Sequence, residues 1–200
     1  MEPTEAFILA DQTLNAVVQQ VRDDQWSMAM PPEFKTAKPD HVPTLREIIA
    51  YHAYDDAWFP DMLAGRTMDE VGREKFDGDL LGGDPRRAFA DIVERACAAA
   101  AKGIDPDQPL HFSYGDWPAR DGLWHLISFR GLRAHDIAAV IGVDTTLPSE
   151  LVQAMWDAFS PVAATWRQMG VFGPEVEVAA SAPLQDRLLG LTGRQPDVLS

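Results

Sequence analysis

Charged side chains occur where apolar ones are expected in the stretch from Trp117 to Gly142. Apolar residues recur there at steps of three and four, which predicts one long helix with a buried face. Arg130 lies in the middle of that face. A buried guanidinium must be paired or wetted by a cavity, because an unpaired buried charge is costly. A neighbouring stripe carries Arg133 and Asp136, so this helix is the expected wall of a functional site.

A second segment with polar residues on its apolar stripe begins at Thr44, which opens a capping-box pattern and predicts a helix start. His52 and Asp55 fall on the stripe that should be buried, and Tyr51 lies beside them. We therefore expect this helix to lie beside the central one, with the polar side chains of both helices turned inward.

Two interpretations of this polar cluster remain open. In the structural one, Asp55 pairs with one arginine and Asp136 with the other, and removal of any member costs about 3–5 kcal/mol. In the functional one, an arginine, Arg133 above all, binds the carboxylate or a similar anion of a small ligand inside the bundle. The predicted ligand-binding residues are Tyr51, Asp55, Arg130, Arg133 and Asp136.

Apolar periodicity predicts further helices around these two. Their expected ranges are about 4–22, 84–103, 148–170 with a kink at Pro161, and a short helix from about Pro183. A proline-rich crossover loop is predicted between the first two helices. Strand content should be near zero, apart from a brief extended stretch at LHFSY. The pattern indicates an all-α fold with long connections, in a single domain spanning residues 1–200.

Composition excludes several classes of partner. The net charge of −14 disfavours nucleic acid and anionic membranes, since both attract clustered lysine and arginine. No window reaches the roughly 18 apolar residues that a membrane span needs. Cys97 is the only cysteine and lies in an alanine-rich stretch, where a small buried residue is expected, not a nucleophile. The amino terminus shows no signal-peptide pattern, so the expected location is the cytoplasm.

Several short segments of the chain occur in an order that is typical of one family. They are VRDDQW, WFPDMLAGRTMDEVG, FDGDLLGGDP, SYGDWPA, HDIAAVIG, MGVFGPEVEV and DRLLGLTGR. Together they resemble the actinobacterial-type branch of the DinB-like superfamily, whose named member is mycothiol-dependent maleylpyruvate isomerase. The resemblance implies a four-helix bundle of DinB type with long crossover loops and additional carboxyl-terminal helices.

The resemblance also implies a divalent metal in the bundle that activates a low-molecular-weight thiol for transfer or isomerisation. A catalytic metal needs three side-chain ligands and an open position. The family positions align here with Tyr51, Phe129 and Arg133, none of which is a good zinc ligand. The neighbouring His52 and His135 are the candidate metal ligands, displaced from the aligned positions.

Three functions follow from these features. The first is a metal- and thiol-dependent transferase or isomerase that uses zinc, nickel or manganese. The second is a non-enzymatic, ligand-binding bundle in which an Arg/Asp network replaces a lost metal site. The third is an interaction module that forms a homodimer through exposed tryptophans such as Trp117.

Overall fold

Helices form most of the fold in a computed structural model, which describes residues 1–34 and 40–196. In chain order the elements are α1 (Pro3–Val18), α2 (Leu45–Leu63), α3 (Met68–Val71), α4 (Pro85–Ala100), β1 (Pro109–Phe112), β2 (Gly115–Pro118), α5 (Ala119–Ile141), α6 (Ser149–Phe159), α7 (Ala163–Gln168) and α8 (Leu184–Leu191). The predicted all-α class is therefore confirmed. Within the described ranges the single sheet is the hairpin of β1 and β2.

Local sequence signals set the ends of the long helices. Thr44 caps α2 by accepting a hydrogen bond from the Glu47 amide, and its own amide donates to the Glu47 carboxylate. Asp84 caps α4 in a similar way. Gly142 ends α5 in the left-handed conformation, with φ 73° and ψ 40°, which glycine adopts without strain. These boundaries agree with the sequence predictions.

The predicted helix over 148–170 is two helices. α6 ends at Phe159 and α7 begins at Ala163, with a turn at Pro161. Proline has no amide hydrogen and clashes with the preceding turn, so a break is favoured over a kink. The prediction also missed β2, because Gly115–Pro118 contains glycine and proline and shows no strand-like alternation.

The long helices enclose a shared apolar core. α1 packs against α4 and α5, and α4 packs against α2. The predicted core stripe of α5 is buried throughout: Leu123, Ile127, Arg130, Ala134, Ile137 and Ile141. The backbones of α2 and α5 approach each other less closely than those of the packed pairs, and side chains bridge the gap between them.

A glycine lets α6 pack tightly on α5. A Cβ atom at Gly131 would lie 2.7 Å from the Met155 sulfur of α6, closer than the two atoms can approach. The neighbouring small residues Ala134 and Ala138 are also buried. α5 is thus covered by α1 on one side and α6 on another. Its remaining side faces α2, the hairpin and the carboxyl-terminal segment.

The crossover loop before α2 contributes to the core. Its two ends are held together by hydrogen bonds, including one from the Met30 amide to the Pro43 carbonyl (2.8 Å). Phe34 of this loop is buried. Residues 35–39 of the predicted loop, and residues 197–200, lie outside the described part of the chain. Among the described helices, none is long and apolar enough to cross a membrane.

Candidate ligand-binding site

Arg130 is held by two carboxylates in the interior, where all three side chains are completely buried. Its Nε and Nη2 both donate to Oδ1 of Asp56 on α2, the Nε bond at 2.8 Å. The same Nε lies 3.4 Å from Oδ1 of Asp11 on α1. The guanidinium also lies over the Phe7 ring, 5.1 Å from its centre. We call Arg130, Asp56 and Asp11 the buried triad.

The predicted pairing of Asp55 with an arginine is wrong, because the carboxylate that binds Arg130 belongs to Asp56. Successive helical residues are about 100° apart, so two stripes of α2 were compatible with its apolar pattern. The stripe that is completely buried runs through Leu45, Ile49, His52, Asp56 and Phe59. Asp55 lies one position to the side and is only half-buried.

The buried triad contains two carboxyl groups and one guanidinium, so one carboxyl must hold a proton for the triad to be neutral. Burial raises the pKa of Asp11 well above its usual value, and the nearby Asp56 charge raises it further. Burial also raises the pKa of Asp56, but the charge of Arg130 opposes that rise. We therefore assign the proton of the buried triad to Asp11.

Cys97 lies against this triad, with its sulfur 3.9 Å from Oδ2 of Asp11. Burial and the adjacent acidic groups raise the pKa of the thiol to about 12. A thiol rather than a thiolate is present at neutral pH, which makes Cys97 a poor nucleophile. This agrees with the interpretation of Cys97 as a small buried residue.

A second charge cluster lies three residues further along α5. Arg194, from the carboxyl-terminal segment, makes a two-point pair with Asp136, at 2.8 Å from Nε and 2.9 Å from Nη2. Arg133 lies farther from the same carboxylate, with 3.7 Å between Nη1 and Oδ2. The predicted pair of Arg133 with Asp136 is thus present, but Arg194 is the closer partner. We call Asp136, Arg133 and Arg194 the cavity triad.

The cavity triad has two cations and one anion. Burial opposes ionisation of Asp136, but hydrogen bonds from His135 and Arg194 and the charges of both arginines lower its pKa to about 2. Asp136 is therefore ionised at neutral pH, and arginine keeps its charge in proteins. The triad by itself therefore carries a net positive charge in a chain whose net charge is −14, and the charge of Glu33 also acts on Arg133.

Arg133 and Arg194 lie on the wall of a cavity of about 490 Å³, which we call the C-terminal cavity. It lies between α5, the β hairpin and the segment around α7. Its other walls are mainly apolar and aromatic: Tyr114, Trp117, Phe129, Leu132, Trp166, Met169, Val171 and Phe172, with Ser128 and His125 as polar groups. Arg130 does not line this cavity. It also does not line a neighbouring cavity between α2, the hairpin and α5.

Two donors on this wall have no hydrogen-bond acceptor among the described residues. They are the Nε of Arg133 and the indole nitrogen of Trp117. The Arg133 guanidinium is stacked against rings instead, with Phe34 at 4.4 Å and Phe129 at 5.4 Å. Trp117 is half-buried in the cavity wall and packs against His125. It is therefore not the exposed tryptophan that the dimer hypothesis assumed.

A second cavity, of about 400 Å³, lies between α2, the hairpin and α5, and we call it the α2 cavity. Asp55 and Tyr51, both predicted as ligand-binding residues, line it. Burial raises the pKa of Asp55 to about 7, although the Arg130 charge partly opposes the rise. The two cavities share Tyr114, His125 and Phe129 as a common wall.

His52 is completely buried, and neither of its ring nitrogens has a hydrogen-bond partner within residues 1–34 and 40–196. Its ring stacks on Phe129 of α5, with 4.4 Å between centres. Burial lowers the pKa of His52 well below its usual value, and the charges of Arg133 and Arg130 lower it further. His52 lies closer to Phe129 than Tyr51 does, because the ring centres of Tyr51 and Phe129 are 5.8 Å apart.

The residues around His52 do not fit a divalent metal. The Phe129 ring stacks on it, and the positive charges of Arg133 and Arg130, only partly offset by Asp136, would repel a metal cation. His135 is buried on the same helix as Phe129 and lies 3.5 Å from Asp136 through Nδ1. In residues 1–34 and 40–196, no three potential ligands among histidine, cysteine, aspartate and glutamate converge. Metal binding by His52 and His135 stays a prediction.

Three residues of these clusters were missed in the sequence. Asp11 and Asp56 each lie on a stripe of completely buried residues, for example Phe7, Asp11, Leu14 and Val18 in α1. That 4-3-4 spacing was the available signal, and the neighbouring apolar positions obscured it. Arg194 lies 58 residues from Asp136 in the chain, in a segment without periodicity, and no local signal links the two.

No protein-family model, curated protein or solved structure matches this chain. Its function must therefore be inferred from the geometry of the two cavities and from the order of the sequence segments.

Proposed function

We propose that this protein binds a small organic anion, a carboxylate with an apolar or aromatic body, in the C-terminal cavity. The observation that carries the proposal is the charge of the cavity triad, in which Arg133 and Arg194 share one carboxylate, Asp136. A bound carboxylate would neutralise the remaining positive charge. The contact would be made with the exposed part of the Arg133 guanidinium, because its Nε and the Trp117 indole nitrogen are both buried.

Arg133 is the better candidate of the two arginines for contact with the ligand. Both oxygens of Asp136 already accept short hydrogen bonds from Arg194. The Arg133 contact is longer, and only 13% of its side chain is exposed. A partly enclosed guanidinium binds a carboxylate more strongly than an exposed one, because water screens the attraction less. The apolar wall then selects the body of the ligand.

Benzoate and its neutral isostere benzamide test the proposal by isothermal titration calorimetry. We expect benzoate to bind and benzamide to bind at least about tenfold more weakly, a difference of about 1.4 kcal/mol. Arg133→Met should weaken benzoate binding by a similar factor, and Arg133→Lys by less. Arg87→Met, on the exposed face of α4, is the matched control and should leave the affinity unchanged. Equal binding of both compounds, or full affinity in Arg133→Met, would overturn the proposal.

A metal- and thiol-dependent transferase or isomerase is the second candidate function. The family resemblance supports it, whereas the charges of Arg133 and Arg130 near His52 count against a metal at that residue. In that proposal the fold is a DinB-type four-helix bundle. Elemental analysis of protein purified without chelators provides the test. About one equivalent of zinc, nickel or manganese that is lost in His52→Ala would favour this candidate over the anion site.

The expected cytoplasmic location and the homodimer also remain proposals. Trp117 packs into the cavity wall, so a dimer would need another surface. Analytical ultracentrifugation over a tenfold range of protein concentration tests the oligomeric state. A concentration-independent monomer mass would reject the dimer.

A further inference from the structure

The α2 cavity contains a carboxylate without a cationic partner. Asp55 makes no ion pair within 4.0 Å in the part of the chain that the structure describes. The basic groups on this wall are engaged elsewhere. Arg66 pairs with Asp61, His111 lies 2.8 Å from Asp116, and Nδ1 of His125 lies 3.3 Å from the Tyr114 hydroxyl. A half-buried carboxylate in such a place lacks the compensation that buried charges normally have.

Aromatic side chains surround this carboxylate. Tyr51, Tyr54, Trp58 and Tyr114 line the cavity with it, and Phe129 closes the side towards the C-terminal cavity. The face of an aromatic ring carries partial negative charge and attracts cations. Burial raises the pKa of Tyr114 to about 12, and the charge of Asp55 adds to the effect. The rings and the carboxylate therefore act together to favour a positive ligand.

We propose that the α2 cavity binds an organic ammonium ion, with Asp55 as its counter-ion and the tyrosine and tryptophan rings against its alkyl groups. A carboxylate combined with several aromatic faces is the arrangement that recognises protonated or quaternary amines. A lone carboxylate supplies too few oxygens for a metal ion. The cavity of about 400 Å³ also suits a small organic molecule. This inference concerns a different cavity from the anion site and does not rest on it.

Choline chloride and benzyltrimethylammonium chloride are suitable probes, because their charge does not change with pH. The neutral isostere of choline is 3,3-dimethyl-1-butanol. We expect both ammonium salts to bind saturably in fluorescence or calorimetric titrations, and the isostere to bind at least about tenfold more weakly. Asp55→Asn should weaken ammonium binding by a similar factor. The matched control Asp91→Asn, exposed on α4, should leave it unchanged.

Arg133→Met separates this proposal from the anion site. It should weaken benzoate binding about tenfold without changing choline binding, whereas Asp55→Asn should weaken choline binding about tenfold without changing benzoate binding. Asp55→Asn removes a half-buried carboxylate that lacks a partner, so we expect its melting temperature to equal or exceed that of the wild type. The proposal would be overturned if neither salt bound saturably, or if the neutral isostere bound as tightly as choline. Full affinity for the ammonium salts in Asp55→Asn would also overturn it.

The pH dependence of binding provides a further check. The ammonium ion binds the ionised carboxylate, and the pKa of Asp55 is about 7. Affinity should therefore rise from about pH 6 to about pH 8 and then level off. Other groups that face Asp55 are Tyr51, Tyr54, Asp56, Arg66, His111, Tyr114, His125 and Arg130. The same rise in Asp55→Asn would assign it to the histidines and would contradict the proposal.

Discussion

The two charge clusters on α5 have opposite compositions. The buried triad has two carboxyl groups around Arg130, and the cavity triad has two guanidinium groups around Asp136. The first is completely enclosed, whereas each side chain of the second is partly exposed. Each cluster has one surplus charge, and its surroundings determine how that charge can be neutralised.

In the interior, the surplus charge can be neutralised by protonation. A carboxyl group can take up a proton, so the surplus acid of the buried triad becomes neutral Asp11. Arginine cannot release its proton near neutral pH, so the surplus cation of the cavity triad persists. It must be balanced by solvent or by a bound anion. The same helix thus carries a buried cluster with a structural role and, in our proposal, a binding cluster, and four predictions test that distinction.

Removal of Arg130 should have the largest effect. Arg130→Met leaves Asp56 buried without its cation, which costs about 3–5 kcal/mol of stability. Urea denaturation at pH 7 measures this change, with Arg95→Met on the exposed face of α4 as the control. A loss below about 1 kcal/mol would show that Arg130 does not hold the buried triad together.

The two carboxyl groups of the buried triad should differ in their contributions. Asp56→Asn removes the ionised partner of Arg130, and we expect a loss of about 2–3 kcal/mol. Asp11→Asn replaces a protonated carboxyl by a neutral amide of similar shape, and the loss should be about 1 kcal/mol or less. Equal losses, measured in parallel urea titrations, would contradict the assignment of the proton to Asp11.

The clusters should also respond in opposite ways to pH. Asp136 has a folded-state pKa of about 2, below its unfolded value of about 4. It therefore stabilises the fold above about pH 4, and this contribution of about 1–2 kcal/mol, reduced for solvent screening, is lost as the pH falls towards 2. The pKa of Asp11 is raised, so its effect on stability has the opposite sign. Its contribution to the free energy of unfolding becomes less favourable as the pH rises above about 4.

Unfolding free energies of Asp136→Asn and Asp11→Asn, measured against the wild type at several pH values, test this contrast. The loss caused by Asp136→Asn should be present at neutral pH and vanish in acid. The loss caused by Asp11→Asn should shrink as the pH rises. Parallel pH profiles for the two variants would mean that the clusters do not differ in the way proposed.

The smallest effect on stability is expected for Arg133. Arg133→Met removes the guanidinium that stacks on Phe34 but leaves Asp136 paired with Arg194. The change should stay within about 1 kcal/mol, as is typical of partly exposed ion pairs. A loss as large as that of Arg130→Met, under the same denaturation conditions, would make Arg133 a structural residue and not a binding residue.

The sequence alone predicted the helices that build this site. The capping box at Thr44, the cap at Asp84 and the stop at Gly142 are local signals, and the structure places helix ends at each of them. The burial of Arg130 was also predictable, because it lies within an apolar stripe of the sequence. The structure buries all the remaining members of that stripe as well. Helix periodicity is a property of neighbouring residues and needs no tertiary information.

Only the tertiary structure decided which charges meet. Asp55 and Asp56 are adjacent, and a rotation of about 100° decides which of them faces Arg130 and which lines a cavity. Asp11 and Arg194 reach α5 from the two ends of the chain. The pairing of such distant groups depends on how the helices and the carboxyl-terminal segment pack. The separation of a closed, proton-neutralised triad from an open, cationic one follows from that packing, because packing sets both the ratio of carboxyl to guanidinium groups in each cluster and the burial of each cluster.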